Sequence, residues 1–139
     1  MMRQKILFGI LLAAISLFWC SPTSSTSGFS NKLTLGTGQS SANLFNLTGA
    51  GTSFTGAPLT LYWRLESSDD MAGSQVTIDI KKLSGGTFIS HQSQTYPNAQ
   101  SYGHIMVSAI NIDSAGSFRA TGILVTGNKT ISTVDFTVQ

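Results

Sequence analysis

From about residue 59 onward, apolar and polar residues alternate with a period of two. Leu59, Leu61, Trp63 and Leu65 interleave with Thr60, Tyr62, Arg64 and Glu66. This predicts a strand with four large apolar groups on one face and a tyrosine with two charges on the other. Val76, Ile78 and Ile80 alternate with Thr77, Asp79 and Lys81 in the same way. Gly85 and Gly86 follow, the residue type that takes the positive φ angles of a two-residue hairpin, and Thr87, Phe88 and Ile89 return after them. Phe118 to Val125, the pair Gly127 and Asn128, and Ile131 to Val138 predict a second hairpin. Weaker strand signals cover Lys32 to Leu35, Ala42 to Thr48 and His104 to Ile112. The stretch Gln94 to His104 has no apolar periodicity and contains Pro97, so it is expected to form a long surface loop. No window of twelve residues past Cys20 carries a helical stripe. Seven or eight short strands at this spacing predict an all-β fold, an antiparallel sandwich.

The start of the chain follows another pattern. Met1 to Lys5 is short and basic, Ile6 to Trp19 is an uncharged apolar run, and Cys20 opens the polar stretch CSPTSSTSG. A basic start, a short apolar core and an abrupt polar end describe an export signal. The fourteen apolar residues would span roughly 21 Å as a helix, short of the roughly 30 Å hydrocarbon core, which disfavours a permanent membrane span. The expected organisation is an export signal over 1–19, a Ser/Thr-rich tether over 20–31 and a β-sandwich over 32–139.

Cys20 is the only cysteine, so it has no partner for an intrachain disulfide, and a free thiol is a liability in an oxidising exported setting. Over residues 1 to about 30 the chain resembles a bacterial lipoprotein precursor. In that family the signal is cut before a cysteine that becomes lipid-modified and N-terminal, and a polar tether follows. Leu17 matches the apolar position three before the cysteine, whereas Phe18 and Trp19 are large where the family prefers Ala, Gly or Ser. The resemblance implies a lipid on Cys20 and attachment to a membrane of the bacterial cell envelope. Ordinary cleavage within Ser21 to Ser27, giving a secreted or periplasmic protein, and an uncleaved anchor remain as alternatives.

Over residues 59 to 138 the chain resembles the immunoglobulin-like and fibronectin-like superfamily of exported β-sandwich modules. Trp63, in LTLYWRLES, stands where that family packs a core tryptophan, and IDSAGSFRATGIL followed by GNKTISTVDFTVQ is similar to its last two strands. The chain departs from the family in having no cysteine pair and in carrying Phe118 in place of the corner tyrosine. Asp113 also lies one residue farther from that aromatic than in antibody-type domains. The implied fold is an antiparallel immunoglobulin-like sandwich of seven to eight strands, and it implies no ligand.

Charge narrows the function classes. Without Arg3 and Lys5 in the signal, the formal net charge of +2 falls to zero, six basic groups against six acidic ones, while Ser and Thr supply about three in ten of the residues from Cys20 onward. A neutral body lacks the clustered Lys and Arg that nucleic acid requires, so no nucleic-acid partner is expected. The only histidines, His91 and His104, form no metal-binding pair at short spacing, and no HExxH, CxxC, GxSxG or SxxK motif occurs. No catalytic residue, cofactor or metal is therefore expected. Glu66, Asp69 and Asp70 could bring three carboxylates to one turn and hold Ca²⁺ by oxygen ligands, but the spacing of an EF-hand is absent and a polar hairpin loop accounts for them.

Binding is the remaining chemistry. Tyr96, Tyr102 and His104 fall in the loop-like stretch QTYPNAQSYGH and are the candidate binding residues, since tyrosine offers contact area and a hydroxyl at low entropic cost. The same tyrosines could instead brace the loop against the sandwich end. The expected function is a lipid-anchored, non-catalytic interaction or adhesion module for a protein or glycan partner. The alternative is a structural subunit of an envelope or appendage joined through strand edges, with TISTVDFTVQ as a candidate edge.

Overall fold

The alternation read along the chain becomes ten strands in the computed structural model, which describes residues 28–97 and 103–139. They are β1 (Lys32–Gly36), β2 (Gly38–Gln39), β3 (Leu47–Thr48), β4 (Ser53–Phe54), β5 (Leu59–Glu66), β6 (Gln75–Ser84), β7 (Thr87–Pro97), β8 (Ile105–Ile112), β9 (Gly116–Leu124) and β10 (Lys129–Val138). The count exceeds the seven to eight expected because β2, β3 and β4 are two-residue pairings that period-two patterning cannot detect. Among the described residues the only helical piece is the 3₁₀ turn Thr126–Asn128, and no helix is long and apolar enough to cross a membrane.

One sheet has the order β1-β5-β8 and a second the order β4-β10-β9-β6-β7, while β2 pairs with β3. Every long pairing is antiparallel, and only the two-residue contact of β4 with β10 is parallel. The inward sets Leu61, Trp63, Leu65 and Val76, Ile78, Ile80 are buried as their alternation requires. With Met106, Ile110, Ile112, Phe118 and Phe136 they form a single core between the two sheets. Both predicted hairpins form. Gly85 and Gly86 take φ values of 57° and 83° in the β6–β7 turn, and Gly127 with Asn128 lies between β9 and β10.

Two segments depart from the sequence expectation. Of Ala42 to Thr48 only Leu47–Thr48 is strand, because Ser40 and Asn43 capture the backbone first. Ser40 Oγ accepts the Ala42 N–H at 3.3 Å and Asn43 Oδ1 the Phe45 N–H at 3.0 Å, the local bonding with which Ser and Asn compete against strand pairing. The other departure concerns Gln94 to Pro97, which belong to β7 rather than to a surface loop and pair with Gln75 to Ile78 of β6.

The registers place the chain's connections at two opposite ends. Lys32, Glu66 and Ile105 align at one end of the first sheet, and Gln75, Pro97, Leu124 and Lys129 at one end of the second. Hydrogen bonds from Ser67 N to His104 O (3.0 Å) and from Val125 N to Gln75 O (2.9 Å) gather the connections at this end. We call it the tether end, since the chain enters the domain there. The Gly85–Gly86 turn and residues 113–115 lie at the opposite, distal end.

Candidate functional site

Of the candidate residues read from the sequence, Cys20 and Tyr102 lie outside the described residues. The other two are placed, and they do not form one surface. Tyr96 is only 7% exposed. Its ring meets the fully buried Trp63 edge-on at a centroid distance of 4.8 Å, and its hydroxyl donates to Ala109 O at 2.8 Å. Its position explains this: Tyr96 pairs with Val76 and shares the inward parity of β6 and β7. Burial pushes the phenol above its usual range. The Trp63 indole N–H lies close enough to oppose that rise but makes no hydrogen bond of acceptable geometry.

This shift has a testable sign. Well below pH 10 Tyr96 is neutral in both folded and unfolded chains. As pH rises further the unfolded chain ionises first, which lowers its free energy relative to the folded one, so stability falls. In an alkaline titration followed by tyrosinate absorbance, one of the three tyrosines is expected to ionise late, together with unfolding. Three tyrosines titrating together in the folded protein would show that Tyr96 is not buried.

His104 sits at the tether end. Its ring stacks on Phe29 at 4.9 Å with an interplanar angle of 9°, and its Nδ1 donates to Ser67 O at 3.0 Å. The following tether residues are held on the same end. Ser30 N donates to Glu66 Oε1 at 3.1 Å, while Asn31 Oδ1 accepts from Ser68 N at 2.9 Å and Ser68 Oγ at 3.1 Å. The Ser30 N–H holds the Glu66 carboxyl below its usual range, with Arg64 assisting and partial burial opposing. The Glu66, Asp69 and Asp70 carboxylates therefore go to separate uses. Glu66 serves the tether and Arg64, Asp69 pairs with Lys129, and Asp70 accepts the Ala72 N–H. No group of three metal-ligating side chains assembles among the described residues.

The distal end holds a polar cluster not singled out from the sequence. His91 Nε2 lies 3.1 Å from Asp113 Oδ1, Ser114 Oγ donates to that same oxygen at 2.9 Å, and Lys82 Nζ donates to Ser114 Oγ at 2.8 Å. Lys82 also lies over the Phe118 ring. The signal for it was present, because Lys82 continues the inward set Val76, Ile78, Ile80 and so closes the end of the core with its aliphatic stem. Ser114 donates a hydrogen bond to a carboxylate and accepts one from an ammonium, an arrangement that braces the turn between β8 and β9.

A groove of about 420 Å³ lies on the outer face of the β1-β5-β8 sheet, lined by Leu44, Phe45, Tyr62, Ser108 and Ala109 among others. It owes its walls to the turn over residues 40–46, the same segment that departs from the expected strand. No known protein family matches the chain, and no curated protein is significantly similar to it.

The edges of the sheets differ in how they are covered. On β8, the carbonyls of Ala109 and Asn111 receive the Tyr96 hydroxyl at 2.8 Å and the Gln92 amide at 2.9 Å. On β1, Leu35 O accepts from Gly51 N at 3.0 Å. The candidate edge TISTVDFTVQ is interior at its last residues, where Thr137 and Val138 pair with β4, and Asp135 on it is held by Arg119 Nε and Nη2.

Proposed function

We propose that the chain is an exported envelope protein, lipid-anchored through Cys20, whose body is an immunoglobulin-like sandwich serving as a non-catalytic interaction or adhesion module. Strand order supports the fold assignment: β1, β5 and β8 take the places of the A, B and E strands of that architecture, and β6, β9 and β10 those of C, F and G. The functional reading rests chiefly on the pinned tether. Phe29, Ser30 and Asn31 are fixed to one end of the domain, so an anchor at Cys20 would attach the domain at that end, opposite the distal one. His104, one of the residues first expected to carry binding, stacks on Phe29 at that same end.

The test is Cys20→Ala. Lipid labelling is expected to disappear and the domain to move from the membrane to the soluble fraction, because acyl chains supply about 0.8 kcal/mol per buried CH₂ and the neutral body contributes little attraction of its own. Unchanged membrane retention in that variant would defeat the anchor assignment. The second reading, a subunit assembled through strand edges, is favoured by one observation: among the described residues, nothing bonds to the outer edge of β7.

A further inference from the structure

We infer that β7 is a self-recognition edge, which pairs antiparallel with β7 of a second copy and joins the two five-stranded sheets into one continuous sheet. The inference deepens the edge-assembly reading above by naming the edge and its occupant. β7 is the longest strand in the structure, at eleven residues, and it closes one side of its sheet. In an antiparallel ladder half of a strand's N–H and C=O groups point away from its partner. Among the described residues, no backbone group of β7 bonds outside its ladder with β6. The β1 and β8 edges, by contrast, have carbonyls occupied by a loop or by side chains reaching from β7 itself.

The usual guards against edge pairing are charge, proline and bulges. From Thr87 to Pro97 there is no Lys, Arg, Asp or Glu, and Pro97 stands only at the strand's end. The one bulge leaves His91 without a partner in β6, and His91 turns to Asp113 and the Phe118 ring. Beyond it Gln92 to Tyr96 runs in regular register. Ser93, Gln94 and Thr95 are all exposed there. Gln92 and Tyr96, bonded to β8, hold this stretch in place and so lower the entropic cost of docking.

A second copy is the occupant that this edge fits. Closed twofold symmetry requires a strip complementary to itself, and an uncharged run of Ser, Gln and Thr meets its own image without repulsion while offering cross-strand hydroxyl and amide contacts. Antiparallel pairing also sends the two tethers out at opposite ends of the dimer. From Cys20 to Gly28 the chain reaches at most about 28 Å, less than the roughly 35 Å of an eleven-residue strand. A dimer anchored in one membrane therefore lies with its strands along the surface; this orientation, unlike the pairing, depends on the lipid anchor.

The experiment is sedimentation of the full processed chain, in density-matched detergent if it is membrane-bound, across a wide concentration range. Wild type is expected to pass from monomer to dimer. Ser93→Lys/Thr95→Lys places like charges opposite each other across the twofold and should raise the dimer dissociation constant at least about tenfold, with the melting temperature nearly unchanged. Mixing that variant with Ser93→Glu/Thr95→Glu should restore association, an outcome that misfolding would not produce. A dimer unaffected by the lysines would overturn the β7 assignment and leave self-assembly to another surface. Monomers at every concentration would overturn both. The same measurement on Cys20→Ala separates pairing from anchoring, since the dimer is expected to survive loss of the lipid.

Discussion

Trp63→Ala is expected to cost the domain about 3–5 kcal/mol, measured as the fall in unfolding free energy from denaturant titration. Trp63 is wholly buried at the centre of β5, paired on one side with Leu35 of β1 and on the other with Ser108 of β8. Its indole reaches across to Tyr96 on the opposite sheet, so truncation opens a cavity that neither sheet can close alone. A loss of this size is a large part of the 5–15 kcal/mol that stabilises a typical domain. Tyr62→Ala, one residue away on the outer face, is expected to cost about 1 kcal/mol or less. Equal losses from the two substitutions would mean that the alternation does not set which face of β5 is inside.

Tyr96→Ala ranks beside it, at about 3–5 kcal/mol. The side chain supplies a ring against Trp63 and the donor that satisfies Ala109 O, and both are lost together. Tyr96→Phe keeps the ring and removes only the hydroxyl, so about 1 kcal/mol is expected. A contact residue on a mobile loop would give the reverse pattern, with little loss of stability in either variant. Unfolding free energies for the pair therefore decide between a core residue and a surface one.

The contrast between these two aromatic residues shows where sequence reasoning succeeds. Trp63 was legible because its neighbours alternate without interruption, and a side-chain period of two leaves only one face for four large apolar groups. The same rule exposed Val76, Ile78 and Ile80 and both long hairpins, each closed by residues that tolerate positive φ. Tyr96 was not legible. Its neighbours Gln94, Thr95 and Pro97 carry no apolar rhythm, and its burial depends on β6 holding β7 in register beneath the opposite sheet. Gly122 was obscured for a related reason. It falls inside the predicted strand Phe118 to Val125, but only the facing sheet shows why it is glycine, since an added Cβ would come within 2.7 Å of Leu65 Cδ1. The main strands, their turns and the inward face of each regular strand were readable along the chain, because those follow from neighbours a few residues apart. Long-range pairing put Tyr96 in the core, brought residues 29–31 and residue 104 to one end, and left the outer edge of β7 without a bond among the described residues. Each of these depends on which strands lie side by side, a pairing made between residues distant in sequence and therefore invisible to any local pattern.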